Sequence, residues 1–111
     1  MRILAIEREL ASPLPAVPPD TLRAEAAGVW DLLKRGVIRD IWSTSPGCHA
    51  VILLESPNLA DARKQLAALT QSRSGLIDFT LHELHPYDGL ERLFASNPPT
   101  LRPKPEEPPD Y

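Results

Sequence analysis

The apolar residues of this chain recur with two different spacings, and the order of these spacings restricts the folds that it can adopt. Four segments have the alternating or continuous apolar pattern of β-strands, and two have apolar residues every three or four positions, as on one side of a helix. In chain order, the predicted elements are strand Arg2–Glu9, helix 20–35, strands 37–44 and 48–55, helix 59–70 and strand 76–84. The short turn at 45–47 makes the two middle strands an antiparallel hairpin.

This order of elements is the split βαβ arrangement. It predicts an α+β domain of ferredoxin-like βαββαβ type with an antiparallel four-stranded sheet. Both helices must bury their apolar sides on one face of that sheet, which suits the side of the last strand that carries Ile77, Phe79 and Leu81. The other face is apolar in the remaining strands, and we therefore expect a second copy of the chain to cover it.

The first predicted helix has a single apolar stripe and recognisable ends. Asp20 is suited to the N-cap position, and Gly36 to the position just after the last turn. The stripe, which we expect to face the sheet, consists of Leu22, Ala26, Val29, Trp30 and Leu33.

The C-terminal part of the chain changes from apolar to proline-rich. Residues 1–95 are expected to form the domain, whereas 96–111 contain six prolines and little apolar surface, and are expected to form an extended or disordered tail. Just before this tail, the segment 87–94 is predicted to form a helical turn that reaches the partner subunit. Its anchors are Leu90, Leu93 and Phe94.

Composition excludes several classes of protein. A length of 111 residues suits one core, and the 12 basic residues, outnumbered by 15 acidic ones and scattered, argue against nucleic-acid binding. The single cysteine, Cys48, cannot form an internal disulfide or a cysteine metal site. No apolar run approaches the roughly 20 residues of a membrane span. We therefore expect a soluble cytoplasmic protein that needs no metal and no cofactor.

Two segments resemble the muconolactone isomerase family of the dimeric α/β-barrel superfamily. The first segment is Gly36-Val37-Ile38-Arg39-Asp40-Ile41-Trp42, which follows a Glu-bearing helix and has that family's Gly-x-x-Arg-x-x-Trp pattern. The second segment, 77–86, is similar to the closing strand of that family. The resemblance covers about residues 20–86. It implies a dimer whose sheets form an α/β barrel, and a cofactor-independent proton transfer on a lactone. It also aligns the family's helix Glu with Glu25, whereas the Lys that follows in the family is Ala26 here.

Five residues are candidates for catalysis or binding. Glu25 lies at the edge of the apolar stripe, where a carboxylate can act as a general base, or can simply be a surface Glu with its stem on the sheet. His82, with Asp78 on the polar side of the last strand, can exchange protons with a substrate or lie in a subunit interface. Arg39 is placed to bind an anionic group. Trp42, three residues further and predicted on the opposite face, is a substrate contact or a packing residue.

The first functional hypothesis is a small cofactor-independent enzyme that catalyses proton transfer or rearrangement on a small carbonyl or lactone compound. In it, Glu25 is the base, His82 the proton partner, and Arg39 holds a carboxylate or enolate oxygen, while Trp42 and Asp78 contact the substrate. One alternative is a non-catalytic dimeric module that binds a ligand or assembles with another protein. The other is a cofactor-free monooxygenase that depends on Trp42. In each case the chain forms a homodimer or a higher oligomer.

Overall fold

The computed structural model describes residues 1–70 and 75–94. The predicted loop at 71–74 and the predicted tail at 96–111 lie outside these residues. Within them, two α-helices, four strands and a final short 3₁₀ helix are observed. Their bounds are β1 Arg2–Glu9, α1 Pro19–Lys34, β2 Ile38–Ser43, β3 Ala50–Glu55, α2 Leu59–Thr70, β4 Ile77–Leu84 and the 3₁₀ helix Gly89–Leu93.

The four strands form one antiparallel sheet with the order β2-β3-β1-β4. The α+β class and the antiparallel four-stranded sheet are therefore confirmed, and the order is compatible with a ferredoxin-like arrangement. The register defines two faces. Ala5 pairs with Ile52 and Leu81, whereas its neighbour Leu4 pairs with Leu53 and His82. Because side chains alternate along a strand, these two sets point to opposite sides of the sheet.

One face of the sheet is covered by both helices and forms the core. Ile3 and Ala5 of β1 are fully buried there, beside Leu54 of β3 and Phe79 of β4. The helices contribute Leu32, Ala62, Leu66 and Leu69 to the same cluster. The prediction that the helices cover the Ile77, Phe79 and Leu81 side is thus confirmed.

Helix α1 is rotated relative to the orientation that its apolar stripe predicts. Leu22 and Trp30 are 51% and 61% exposed, and Ala26 is also exposed, whereas Leu32 is buried. The prediction was wrong for these three stripe residues. Leu32 lies about 100° from Leu33 around the helix, so the buried side of α1 is rotated from the predicted stripe toward Leu32.

Close packing between the two helices explains this rotation. Gly28 of α1 faces α2, where a Cβ atom on Gly28 would lie only 2.9 Å from Leu69 Cδ2. The helices approach closely at the one position of α1 without a side chain. With Gly28 turned to α2, the residues one turn before it and one turn after it, Glu25 and Leu32, are turned toward the sheet.

The two helices begin differently. The first begins at Pro19, with Pro18 in the N-cap position and without a side-chain cap, so the predicted capping role of Asp20 is wrong. Asp20 instead lies in the first turn, where a negative charge favours the positive end of the helix dipole. Helix α2 is capped by a side chain, because the backbone N–H of Asp61 donates to Asn58 Oδ1 at 2.8 Å.

The end of α1 follows the sequence prediction. Gly36 has a φ of +75°, a conformation that residues with a Cβ atom adopt only with strain. The Gly36 N–H donates to the carbonyl of Leu33 at 3.1 Å, and the Val37 N–H donates to the carbonyl of Leu32 at 3.0 Å. This pair of bonds is the Schellman motif, and it directs the chain straight into β2.

Strand β2 contains one residue more than regular pairing requires. Ile38 pairs with Leu54 and Asp40 pairs with Leu53, so two steps along β2 match one step along β3. Arg39 is the extra residue of this bulge. As a result, Ile38 and Ile41 both belong to the helix-covered face although they are three positions apart.

Replacing a buried leucine by alanine should lower the free energy of unfolding much more than replacing an exposed one. Leu54→Ala removes a fully buried side chain between the sheet and the helices, and should lower the free energy of unfolding by about 2–5 kcal/mol. The control is Leu22→Ala on the exposed side of α1, which should change it by less than about 0.5 kcal/mol. Urea unfolding followed by circular dichroism at one protein concentration measures both. A loss at Leu22 equal to that at Leu54 would contradict the orientation of α1.

Candidate functional site

A small cavity lies between α1 and the helix-covered face of the sheet. Its volume is about 80 Å³, and it is partly open to solvent. Two carboxylate side chains, Glu25 and Glu7, line it. The remaining walls are apolar and are formed by Val29, Ile41, Ala50, Ile52, Leu69, Ile77 and Phe79. The cavity thus combines two acidic groups with a predominantly apolar surface.

The two carboxylates reach this cavity from different elements. Glu25 lies on α1 and is half-buried. The close approach of Gly28 to Leu69 orients the helix so that Glu25 is turned toward the sheet. Glu7 lies on β1 and is in phase with the buried residues Ile3 and Ala5, so that it points to the same face. Sequence analysis selected Glu25 and missed Glu7.

Arg39 does not line this cavity, contrary to the expectation that it would hold a substrate oxygen beside Glu25. That expectation, like the prediction that Arg39 and Trp42 lie on opposite faces, assumed regular alternation along β2. The bulge at Arg39 breaks the alternation. Arg39 is exposed, and its positive charge is one of those that lower the pKa of Glu55 in β3. The two residues lie close together because Leu54, next to Glu55, pairs with Ile38, next to Arg39.

A cluster of charges surrounds Glu55 at this end of the sheet. The terminal amino group of Met1 lies 3.2 Å from Glu55 Oε2, and Arg2 lies 3.9 Å from Oε1. The Met1 amino group lowers the pKa of Glu55, and the charges of Arg2 and Arg39 act in the same direction. Glu55 is therefore held in its charged form, and the cluster is an ion-pair group on the rim of the sheet.

His82 and Trp42 lie on the face of the sheet that is opposite to Glu25. We call this the open face and define it by the register rows around Leu4 and Ile6. His82 pairs with Leu4, while Trp42 belongs to the row of Ile6 and is 50% exposed. The structure therefore does not bring Glu25 together with His82 or Trp42 within one subunit.

The open face has an apolar centre with a polar border. Neither α-helix packs on it, because both lie on the other side of the sheet. Its centre is formed by Leu4, Ile6, Val51 and Leu53, which are half-buried, together with Trp42. Its border includes Thr80, His82 and the ion pair between Arg8 and Asp78.

Asp78 borders a second, larger cleft at the edge of the sheet. This cleft lies between α2 and the edge strand β4, and has a volume of about 220 Å³. It is lined by Arg63, Leu66, Ala67, Asp78, Phe79 and Leu81. Asp78 is thus separated from the cavity that contains Glu25, although Phe79 contributes to the walls of both.

The surroundings of Asp78 stabilise its charged form. The backbone N–H of Phe79 donates a hydrogen bond to its carboxylate and lowers the pKa of Asp78, and Arg8, 3.1 Å away, lowers it further. The charge of Arg63 from α2 acts in the same direction. Asp78 therefore links β4 to β1 as a permanently ionised partner at neutral pH.

Metal-binding and nucleophilic residues are sparse in the described part of the chain. Among residues 1–70 and 75–94, no three His, Cys, Asp or Glu side chains are grouped so that they could hold a metal ion. Cys48 is exposed in the turn between β2 and β3. The adjacent His49 lies 3.1 Å from Glu9, outside the cavity of Glu25.

These features define an α+β domain with a carboxylate-lined cavity on one side of its sheet and an apolar open face on the other. The chain matches no known family model, and no similar sequence is found among curated proteins. Among the described residues, no helix has the length and the apolar character that crossing a membrane requires.

The hydrogen bond from the Phe79 N–H and the ion pair with Arg8 should make the contribution of Asp78 to the stability of the protein depend on pH in the acid range. The folded-state pKa of Asp78 lies below its ordinary value of 3.8. The stabilisation that Asp78 gives the folded state is therefore fully present above pH 3.8, and it is lost as the pH falls through the lower folded-state pKa. We expect wild type to be more stable than Asp78→Asn at pH 6, and the difference to shrink toward pH 2. Urea midpoints of both proteins across this range test it. A difference that does not change with pH would contradict it.

Proposed function

We propose that this protein is a small cofactor-independent enzyme, similar in kind to muconolactone isomerase, that catalyses proton transfer or rearrangement on a small carbonyl or lactone compound. The observation that supports this function is the cavity under α1, where Glu25 and Glu7 are the charged groups in an apolar surrounding. A carboxylate in such a cavity is suited to act as a general base.

Glu25 serves as the base in the proposed reaction. Its carboxylate takes a proton from a carbon next to the carbonyl group and returns the proton to another carbon of the same compound, so that the double bond moves and no oxidant or reductant is needed. Glu7 lies in the same cavity and accepts a hydrogen bond from a hydroxyl group of the substrate. The apolar walls limit the access of water, which strengthens these polar interactions.

The cavity also restricts the substrate. A volume of about 80 Å³ is well below the roughly 300–1,000 Å³ of sites for drug-sized ligands, so the cavity holds only a very small compound, or the reacting part of a compound that extends into solvent through the open side. Its lining residues, all among the described ones, include no basic side chain. Arg39 lies outside the cavity, so that no positive charge of a described residue faces a bound compound there. An uncharged carbonyl or lactone therefore suits the cavity better than a carboxylate-bearing compound.

Replacing the proposed base should slow proton transfer strongly without unfolding the protein. We expect Glu25→Gln to slow hydrogen–deuterium exchange next to the carbonyl of small butenolides and cyclic ketones by about 10²–10⁴-fold, the usual contribution of a general base. Proton NMR in deuterated water measures the exchange across such a panel. Glu7→Gln should reduce the rate much less, because Glu7 takes no proton in the proposed reaction and these compounds carry no hydroxyl group for it to bind.

The matched control for this experiment is Asp31→Asn. Asp31 lies on the same helix as Glu25, and its carboxylate is exposed and paired with Arg35 at 3.1 Å. It should leave the rate of exchange unchanged. If Glu25→Gln exchanges the panel compounds as fast as wild type, Glu25 is not the base. If wild type exchanges none of them, the second candidate function gains support.

The second candidate is a non-catalytic homodimeric module that binds a ligand or assembles with another protein. The observation that favours it is the apolar centre of the open face, which a lone subunit would leave in contact with water. Two such faces packed against each other would form the dimeric α/β barrel that the sequence resemblance implies. In such a dimer, His82 and Trp42 would lie at or near the interface, where they could contact a ligand held between the subunits.

Two tryptophans on opposite sides of the molecule test this dimer. Trp42 on the open face and Trp30 on α1 are similarly exposed. We expect Trp42→Ser to raise the dimer dissociation constant at least about tenfold, because buried aromatic side chains dominate interfaces. Trp30→Ser should leave it unchanged. Sedimentation velocity over a dilution series measures both, and equal effects of the two variants would contradict dimerisation through the open face.

A further inference from the structure

Strand β4 is the edge of the sheet that is suited to accept a further strand. It lies at one end of the order β2-β3-β1-β4, and it pairs with β1 without interruption over all of Ile77–Leu84. The strand at the other end, β2, is interrupted by the bulge at Arg39. Bulges hinder pairing with an additional strand, because they bend and twist the edge. The outer edge of β4 is regular and therefore lacks this protection.

Alternate residues of β4 direct their backbone groups away from β1. The Leu10 N–H donates to the Leu76 carbonyl at 2.8 Å, one step beyond the last pair of the register, Glu9 with Ile77. Hydrogen-bonded and non-hydrogen-bonded pairs alternate in an antiparallel ladder, so the even-numbered residues of β4 bond to β1. The odd-numbered residues direct their N–H and C=O groups to the outer edge; they are Ile77, Phe79, Leu81 and Glu83.

The cleft between α2 and β4 lies beside this outer edge. Phe79 and Leu81, whose backbone groups point outward, also line the cleft, together with Leu66 of α2. A strand added to β4 would place every second side chain on the same side of the sheet as α2, and thus over the cleft. The volume of the cleft, about 220 Å³, is below the roughly 300–1,000 Å³ of sites for drug-sized ligands, which suits a few side chains of an extended segment.

The charges around the cleft favour an acidic segment. Among the described residues, the lining contains one basic residue, Arg63 of α2, and one acidic residue, Asp78 of β4. Asp78 is already paired with Arg8 at 3.1 Å, and the exposed Arg63 adds a second positive charge close enough to act on Asp78. Two positive charges therefore meet one negative charge at this rim. A carboxylate on an incoming segment is suited to pair with Arg63.

We propose that β4 and α2 form a docking site for an extended acidic segment of another protein. The segment adds a fifth strand to the sheet along β4, directs apolar side chains into the cleft and places a carboxylate against Arg63. Backbone hydrogen bonds then supply affinity, and the cleft with Arg63 supplies selectivity, as in other cases of strand addition to a sheet edge. This site depends neither on the reaction proposed for Glu25 nor on a dimer through the open face.

The first test selects such a segment and locates it. Random heptapeptides displayed on phage are selected on the full-length protein, and a synthetic peptide of the enriched sequence is added to ¹⁵N-labelled protein. We expect enriched sequences with alternating apolar residues and an Asp or Glu at a constant position. The Phe79 N–H already donates to the Asp78 carboxylate. We therefore expect the peptide to slow amide hydrogen exchange at Leu81 and Glu83, at least about tenfold, because their N–H groups become bonded.

The second test reverses the charge of Arg63. We expect Arg63→Glu to weaken binding of the acidic peptide at least about fivefold, since an attraction is replaced by a repulsion of like charges. A peptide with Lys in place of its acidic residue should bind Arg63→Glu more tightly than wild type. The matched control is Lys64→Glu, which reverses an exposed charge on the same helix outside the cleft lining and should change the affinity less than about twofold. Isothermal titration calorimetry measures each combination.

Each other outcome overturns a defined part of the proposal. If no sequence is enriched, or if the enriched sequences lack a constant acidic residue, the proposed partner is wrong. If exchange slows around Leu4 and Trp42 instead, the peptide binds the open face and the proposed site is wrong. If the amides of Leu81 and Glu83 are already protected in the free protein, the edge is occupied by the chain itself, or by a second copy where dilution removes the protection. Equal effects of the two charge reversals would overturn the role of Arg63.

Discussion

The burial of β1 between its two neighbours is the constraint on which the other features depend. This strand is central in the sheet, and Ile3 and Ala5 are fully buried beneath the helices. Because side chains alternate along a strand, burying these two residues places Glu7 on the same side and Leu4 and Ile6 on the other. The core, one carboxylate of the cavity and the apolar open face are therefore consequences of one strand's orientation.

The order and type of the elements could be predicted from sequence because each follows from a local pattern. Alternation in β4 correctly assigned Phe79 to the core and His82 to the other side. The rotation of α1 could not be predicted in this way. Its sequence offers adjacent apolar rows, and the choice between them depends on the approach of Gly28 to Leu69, which are distant in the chain.

The candidate site was predictable only in part, for the same reason. Glu25 was recognised because it borders an apolar stripe, and the rotation of α1 brings it closer to the sheet than that stripe implied. Glu7 had a usable signal, since it is in phase with Ile3 and Ala5, but a charged residue near the end of a strand is usually solvated. The position of Arg39 was predicted incorrectly, because a bulge is a property of two paired strands rather than of one segment.

That bulge has a consequence for how the chain can vary in length. Without Arg39, Ile38 and Asp40 would be consecutive in β2, just as their partners Leu54 and Leu53 are consecutive in β3. A chain shorter by this one residue would retain each cross-strand pair and the same buried side chains. A one-residue gap at this point in an alignment with some other sequence would therefore be compatible with an unchanged sheet.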